Sequence, residues 1–214
     1  MDATVLTKCH PTGGGFCTRT RTVDSDQFRQ TVAAATRIPG NKAAPVTVSR
    51  IATENHRLAI FKLAAQMHLE TDFRFYDFDP GIAIAGLGDW LGSDPNSVMF
   101  VAEVDGEVVG MLGATLRSTW FGRDRLASEE LFYVDVAHRG SGAANQLLQS
   151  FCDWASEVGA QHLRAGVATG SSPAAEKLYQ RFGMHYVGGN FSLHMVGDRA
   201  KDLSRKDLGI GATS

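Results

Sequence analysis

The feature that most constrains this 214-residue chain is a glycine-rich turn between a β-rich run and an amphipathic helical pattern. Gly140 and Gly142 occupy the turn, and the small residues Ala143 and Ala144 follow them. Such a turn presents free backbone N–H groups at the positive end of a helix, and small side chains let a phosphate approach them. The stretch predicts an anion-binding cradle, with an ordinary tight connection as the alternative. Its spacing is neither that of a Walker loop nor GxGxxG.

Hydrophobic periodicity places this turn within a longer series of strands and helices. Strands are predicted at about 46–50, 98–102, 108–116, 128–136, 163–167, 184–187 and 191–196. Helices are predicted at about 54–69, 80–91, 142–158 and 173–182. Asp105-Gly106 is a strong hairpin signal between the second and third strands. A run of strands followed by strand–helix alternation implies an α/β (α+β) chain with a mixed sheet and helices on both faces.

Composition divides the chain into three parts. Residues 1–45 hold eight Thr, the triplet Gly13-Gly14-Gly15 and only two aromatic residues, so they would not bury a core alone. They are predicted to be an N-terminal extension, either a tail or an arm that orders on a partner or a sister subunit. Residues 46–196 form the predicted domain, and residues 197–214 a peripheral C-terminal tail.

Charge and cysteine content argue against several function classes. A net charge of −2 gives no global attraction to nucleic acid or to an anionic membrane. No apolar run approaches the roughly 18–20 residues that span a bilayer, and the N-terminus lacks a signal-peptide pattern. We therefore expect a cytoplasmic protein with neither nucleic acid nor membrane as a partner. Three cysteines are a poor disulfide framework and lack a fourth ligand at zinc spacing, so we expect reduced thiols and no metal.

Two motifs in order resemble a known family. Arg139-x-x-Gly142-x-Ala144, set after Val134-Asp135, resembles the Arg/Gln-x-x-Gly-x-Gly/Ala signature of GNAT N-acetyltransferases. One helix and one strand downstream, the segment from Ala175 to Met184 is similar to the family's Asn-x-x-Ala-x-x-Leu-Tyr-x-x-x-Gly-Phe. The resemblance covers about residues 46–196 and extends, through Trp120-Phe121-Gly122, to bacterial and tailed-phage-encoded members. It implies a mixed central sheet of about seven strands, splayed at the donor-binding strand.

The resemblance also implies acetyl-CoA as co-substrate and assigns residues to it. The backbone of the donor-binding strand would pair with the pantetheine arm at Phe132, Tyr133 and Val134. The loop would hold the pyrophosphate through Arg139, Gly140, Ser141, Gly142, Ala143, Ala144 and Asn145. Ser172 stands where the family often has Asn and would hydrogen-bond to acetyl-CoA with less reach. No metal is implied.

Two residues are predicted to move protons. Tyr179 aligns with the family tyrosine that commonly protonates the departing CoA thiolate, a general-acid role. Strand alternation predicts Glu130 on the face of Phe132 and Val134, with Glu129 on the other face. Glu130 is the preferred base or water-positioning residue, and a solvated strand-end charge is the alternative.

These assignments predict an N-acetyltransferase that moves the acetyl group from acetyl-CoA to a primary amine by direct attack in a ternary complex. The acceptor is not identified by the sequence. A structural or assembly protein, such as a phage virion component docked through residues 1–45, is the alternative, and a CoA-binding sensor without turnover is a third hypothesis. The extension also allows a homo-oligomer or larger assembly, located in the host cytoplasm or the virion if the chain is phage-encoded.

Overall fold

A computed structural model describes residues 46–50, 54–166 and 173–189. The predictions for the extension 1–45, the tail 197–214, Ser172 and the strand 191–196 lie outside these residues. The strands are β1 (Val46–Arg50), β2 (Ser97–Val104), β3 (Glu107–Ser118), β4 (Arg125–Val134) and β5 (His162–Arg164). The helices are α1 (Arg57–Glu70), α2 (Pro80–Gly86), α3 (Gly88–Leu91), α4 (Ala143–Glu157) and α5 (Pro173–Arg181). Short 3-10 turns precede α1, follow it at Asp72–Phe75, and follow β4 at Val136–His138.

The described strands form one mixed sheet in the order β1-β2-β3-β4-β5. The first four pair antiparallel, and β5 joins β4 in parallel. That last pairing covers only Leu126–Ser128 of the ten-residue strand β4. On the β5 side, residues 129–134 have no strand partner within the described part of the chain. The mixed sheet and its splay at β4 are confirmed, with five of about seven predicted strands among the described residues.

Two apolar layers hold the helices against the two faces of the sheet. On one face, α4 and α5 cover β2, β3 and β4, and Leu147, Leu148 and Phe151 of α4 are fully buried. On the other face, α1 and α3 pack on the sheet, with Ile60 and Met111 fully buried. Removal of these side chains from water is the main favourable contribution to folding. The layers fix β4 between them.

Local signals account for the turns and helix ends. Asp105 and Gly106 both have positive φ, 51° and 81°, as the predicted two-residue hairpin turn requires. The helix predicted at 80–91 begins where expected, because the Asp79 side chain accepts a hydrogen bond from the Ile82 N–H. It is interrupted at Leu87, which separates α2 from α3. Glycines on both sides of Leu87 weaken the helix there.

One predicted strand is absent. Residues 184–189 have no regular secondary structure, so the strand predicted at Met184–Val187 is wrong. Tyr186 and Val187 are exposed, and none of the described strands pairs with this segment. A β-prone run becomes a strand only when a neighbour completes the ladder.

None of the described helices combines the length and apolar character needed to cross a bilayer.

Candidate active site

A β-bulge in β4 organises the site. Leu131 pairs with Gly113 and Glu129 pairs with Ala114, so Glu130 is an extra residue between two consecutive positions of β3. A bulge inserts one residue and breaks the alternation of side chains. Glu129 therefore lies on the face of Phe132 and Val134, and Glu130 lies on the opposite face. The predicted placement of these two glutamates is wrong because strict alternation does not hold across a bulge.

On the α5 side of the bulge, Glu129 meets Tyr179. The Tyr179 hydroxyl donates to Oε2 of Glu129 at 2.7 Å and lies 3.3 Å from the Gly166 carbonyl oxygen. The Phe132 ring lies beside the Tyr179 ring, with 6.4 Å between centroids. Burial raises the pKa of Glu129 to about 7, against hydrogen bonds from Tyr179 and the Gly166 backbone that lower it. Burial, followed by the charge and hydrogen bond of Glu129, raises the pKa of Tyr179 well above its usual range.

On the opposite face, Glu130 lines an open cleft. The Thr115 hydroxyl donates to Oε1 of Glu130 at 2.8 Å. The cleft has a volume of about 660 Å³ and is bounded by the loop around α3 and by β3 and β4. It is lined by Gly88, Asp89, Trp90, Gly92, Ser93, Asp94, Ser97, Thr115, Arg117 and Glu130. Three carboxylates against one guanidinium give this surface an acidic character.

The turn predicted to act as an anion-binding cradle lies at the N-terminus of α4. Gly140 and Gly142 have φ of 91° and 97°, a left-handed conformation that favours glycine. A Cβ at either position would meet no atom within 4 Å, so the space in front of the turn is open. Within the described residues, the N–H groups of Gly142, Ala144 and Asn145 donate to no protein acceptor. These open donors fit a pyrophosphate.

Arg139 has a different partner from the one expected of a cradle residue. Its guanidinium donates to Glu70 at 2.8 Å and, through Nε, to the Val134 carbonyl at 3.1 Å. Tyr133 donates its hydroxyl to the other oxygen of Glu70 at 2.8 Å. Burial and this contact raise the pKa of Tyr133. Glu70, the last residue of α1, thus ties both the donor strand and the start of the cradle to the helix layer.

The structure brings most of the predicted site residues together along the open edge of β4. Phe132, Tyr133 and Val134 lead into the cradle, and Tyr179 lies at the bulge end of the same edge. An Arg181 side chain donates to the Asn145 amide oxygen at 3.3 Å and links α5 to the cradle.

Sequence reasoning missed the roles of Glu129 and Glu70 in this region. An acidic residue at the C-terminal end of a helix, where the dipole disfavours it, was the available signal for Glu70.

Metal and thiol chemistry find no support in the described residues. They contain no group of three or more His, Cys, Asp or Glu side chains placed to hold a metal ion. Cys152 is a buried free thiol of α4, and burial raises its pKa to about 12. A thiol of this kind is not a nucleophile near neutral pH. The other two cysteines lie outside the described residues.

Comparison with solved structures identifies the same architecture in several acetyltransferases. Glucosamine-6-phosphate N-acetyltransferase from Arabidopsis thaliana superposes with a TM-score of 0.57 at 12% identity, over 71% of this chain and 99% of that one. AAC(6')-Iy in complex with a CoA-linked bisubstrate analog gives 0.57 at 17% identity, over 72% and 100%. A transcriptional regulator from Bacillus halodurans gives 0.59 at 23% identity, over 71% and 100%. At these identities the likeness shows the fold alone.

Sequence comparison shows the family. Streptothricin acetyltransferase of Streptomyces lavendulae is 35% identical over 104 residues, which is 48% of this chain and 52% of that protein. The match thus spans about half the length of the curated relative. Neither this relative nor the structures named above tests the predicted likeness to phage-encoded members, which stays a prediction. A model of the acetyltransferase (GNAT) family matches residues 62–184, more than half of the chain. The chain therefore belongs to the GNAT acetyltransferase family.

Proposed function

We propose that this chain transfers the acetyl group of acetyl-CoA to a primary amine. GNAT acetyltransferases use acetyl-CoA as their co-substrate. One observation supports the proposal above all: among the residues that the structure describes, the edge of β4 from residue 129 to 134 has no strand partner on one side, and it leads from Tyr179 to the cradle. An extended ligand can complete such an edge as an added strand would.

The residues around this edge fit the parts of acetyl-CoA. The open N–H groups of Gly142, Ala144 and Asn145 would bind the pyrophosphate, and the β4 backbone at Phe132 and Val134 would bind the pantetheine arm. Arg139 supports the cradle through Glu70 rather than by contact with the phosphates. The thioester would then lie near the bulge, between Tyr179 on one face and Glu130 on the other.

This placement divides the proton transfers between the two faces. The amine approaches from the cleft, and Glu130 takes the proton that nitrogen loses as the N–C bond forms. Tyr179, on the far side, gives a proton to the sulfur as the C–S bond breaks. Acid and base are thus separated by the thickness of one strand, so that attack and departure occur on opposite sides of the carbonyl carbon.

We propose an acceptor that carries more than one positive charge. Asp89, Asp94 and Glu130 line the cleft against the single cation of Arg117, and opposite charge raises the local concentration of a cationic substrate. The relative from Streptomyces lavendulae is named for streptothricin, and two of the similar solved structures are named for aminoglycoside acetylation. Streptothricin and an aminoglycoside are therefore the first acceptors to test.

The test combines binding and turnover. Calorimetry with acetyl-CoA should give a 1:1 complex, and a thiol assay should detect CoA when streptothricin or an aminoglycoside is added. Gly142→Ala should weaken acetyl-CoA binding about tenfold, because alanine disfavours a left-handed φ and the cradle must distort.

Gly106→Ala is the matched control, since Gly106 also has a positive φ and open space but lies in the β2–β3 hairpin. It should cost a similar stability, about 1 kcal/mol, and leave binding unchanged. Absence of acetyl-CoA binding in the wild type would contradict the proposal and favour an assembly role for the fold. Binding without turnover on any amine would favour a CoA sensor.

A further inference from the structure

The contact between Glu129 and Tyr179 presents a chemical problem. A tyrosine hydroxyl that donates to a carboxylate is held as a neutral phenol, because ionisation would place two negative charges 2.7 Å apart. Burial and Glu129 together raise the pKa of Tyr179 above its usual value near 10. A thiol of the cysteine type has a pKa of about 8.5. Proton transfer from Tyr179 alone to a leaving thiolate is therefore unfavourable.

Glu129 removes this difficulty when it is neutral. The Glu129 side chain is partly buried, and this burial raises its pKa to about 7. A protonated Glu129 is then a stronger acid than the CoA thiol, so a transfer from Glu129 through Tyr179 to sulfur runs in the favourable direction. The groups that bear on Glu129 are Tyr179 of α5, the backbone of Gly166, and the charge of Glu130 across the strand.

We propose that Glu129 is the source of the proton that the departing sulfur takes up, with Tyr179 as the group that delivers it. The inference rests on the proposed acetyl transfer and assigns the acid side of that reaction. Glu129 acts through Tyr179 and is thus a positioning residue, while Tyr179 touches the reacting atoms.

The step balances in protons and bonds. The C–S bond of the tetrahedral intermediate breaks with its electron pair on sulfur, and the Tyr179 O–H proton passes to sulfur to give CoA thiol. For this transfer the contact reverses, so that protonated Glu129 donates to the Tyr179 oxygen and the Tyr179 hydroxyl points towards sulfur. The Glu129 carboxyl proton then passes to the Tyr179 oxygen across the 2.7 Å separation, which restores the phenol and leaves Glu129 ionised. Solvent returns a proton to Glu129 before the next turnover. The amine proton leaves separately through Glu130.

Glu130 and Glu129 are coupled across the bulge. The negative charge of Glu130 raises the pKa of Glu129. When Glu130 takes the amine proton, that charge is lost, and Glu129 becomes a better acid at the moment the sulfur needs a proton. Two consecutive carboxylates on opposite faces of one strand can therefore act in sequence.

The experiment compares the pH dependence of kcat for the wild type, Glu129→Gln and Tyr179→Phe. In the wild type, kcat should fall about tenfold per pH unit above pH 7, as Glu129 loses its proton. Glu129→Gln keeps an acceptor for the Tyr179 hydroxyl but has no proton to give, so kcat should fall roughly 10- to 100-fold and the limb near pH 7 should disappear. KM for acetyl-CoA should change less than about twofold.

Tyr179→Phe provides a second and independent test, because the Glu129 proton cannot reach the sulfur without the phenol hydroxyl. It should also lose the limb near pH 7, and the double variant should be no slower than Tyr179→Phe alone. Glu176→Gln, an exposed carboxylate of the same helix α5, is the matched control and should keep the wild-type rate and profile.

The outcomes separate this inference from the proposed function. A wild-type limb near pH 7 that persists in Glu129→Gln, or independent and additive losses in the double variant, would overturn the relay and leave acetyl transfer intact. Failure of the wild type to bind acetyl-CoA in calorimetry would overturn the proposed function instead. Should Glu129→Gln fold poorly, the profile of Tyr179→Phe decides alone: a retained limb contradicts the relay, and a lost limb supports it.

Discussion

The two faces of β4 place neighbouring glutamates in different chemical surroundings. Glu129 is partly buried, accepts a hydrogen bond from Tyr179 and has a pKa of about 7. Glu130 is exposed to the cleft and accepts a hydrogen bond from Thr115. Consecutive side chains point to opposite faces of any strand, and the inserted residue decides which glutamate lies on which face, because the bulge shifts the alternation by one residue between Leu131 and Glu129. A strand one residue thick can therefore separate an acid from a base.

Removal of the bulge should have the largest effect on the difference between the two faces of β4. Deletion of Glu130 would restore regular pairing between β3 and β4 and keep Glu129 on the α5 face. The cleft would lose the carboxylate that β4 supplies, and the strand would lose the bend that aims its edge. We expect turnover to fall about 10³-fold, measured as CoA release under saturating acetyl-CoA.

The melting temperature of the deletion variant is the control for folding, since most of the core lies away from the bulge. Turnover within tenfold of the wild type would show that the bulge does not organise the chemistry.

The burial of Glu129 predicts a pH-dependent cost in stability. Its pKa is raised from 4.5 in the unfolded chain to about 7 in the fold, so the folded state holds the proton while the unfolded state releases it. The free energy of unfolding should therefore decrease as pH rises from 4.5 to 7. Relative to the wild type, Glu129→Gln should gain up to about 3 kcal/mol at pH 8 and nothing at pH 4.

Chemical denaturation at both pH values measures this difference. The exposed Glu176→Gln should show no change with pH beyond that of the wild type. An equal effect of Glu129→Gln at pH 4 and pH 8 would mean that burial does not shift this carboxyl.

Neutralisation of Glu130 tests the role of the glutamate on the cleft side of β4. Glu130→Gln should lower kcat about 10²-fold, because the amine loses the group that accepts its proton. It should also lower the pKa of Glu129, since the nearby negative charge is gone. The alkaline fall of kcat should then begin at a lower pH than in the wild type. An unchanged rate with an unchanged profile would leave Glu130 as a solvated strand-end charge.

Glu70 supports the donor side at a distance, and its loss should have the smallest effect. Glu70→Gln removes the ion pair with Arg139 and weakens the contact with Tyr133. We expect KM for acetyl-CoA to rise up to about tenfold with little change in kcat, because the cradle is positioned less firmly. The exposed Glu107→Gln in the β2–β3 hairpin is the control. A fall in kcat at constant KM would place Glu70 in the chemistry instead.

Local signals predicted much of the fold. The Asp105-Gly106 hairpin, the start of α2 at Pro80 and the buried stripe of α4 each depend on residues close in sequence, and each is confirmed. The glycine turn before α4 also depends on local sequence, because positive φ at Gly140 and Gly142 is a property of glycine, while its role in anion binding stays a prediction. The strand predicted at 184–187 failed because pairing requires a neighbour that periodicity cannot supply.

In the candidate site, too, some features follow from local sequence and others depend on contacts between distant residues. The sequence was sufficient to predict the order of strand, glycine turn and helix, because turn chemistry and hydrophobic periodicity are local. It also placed Tyr179 on the next helix along the chain. Only the tertiary structure decided that Glu129 faces Tyr179, 50 residues away, and that Glu70 clamps Arg139, 69 residues away. The bulge arises from the register between β3 and β4, and register is set by contacts between distant parts of the chain. No local pattern encodes which of two adjacent glutamates will be buried.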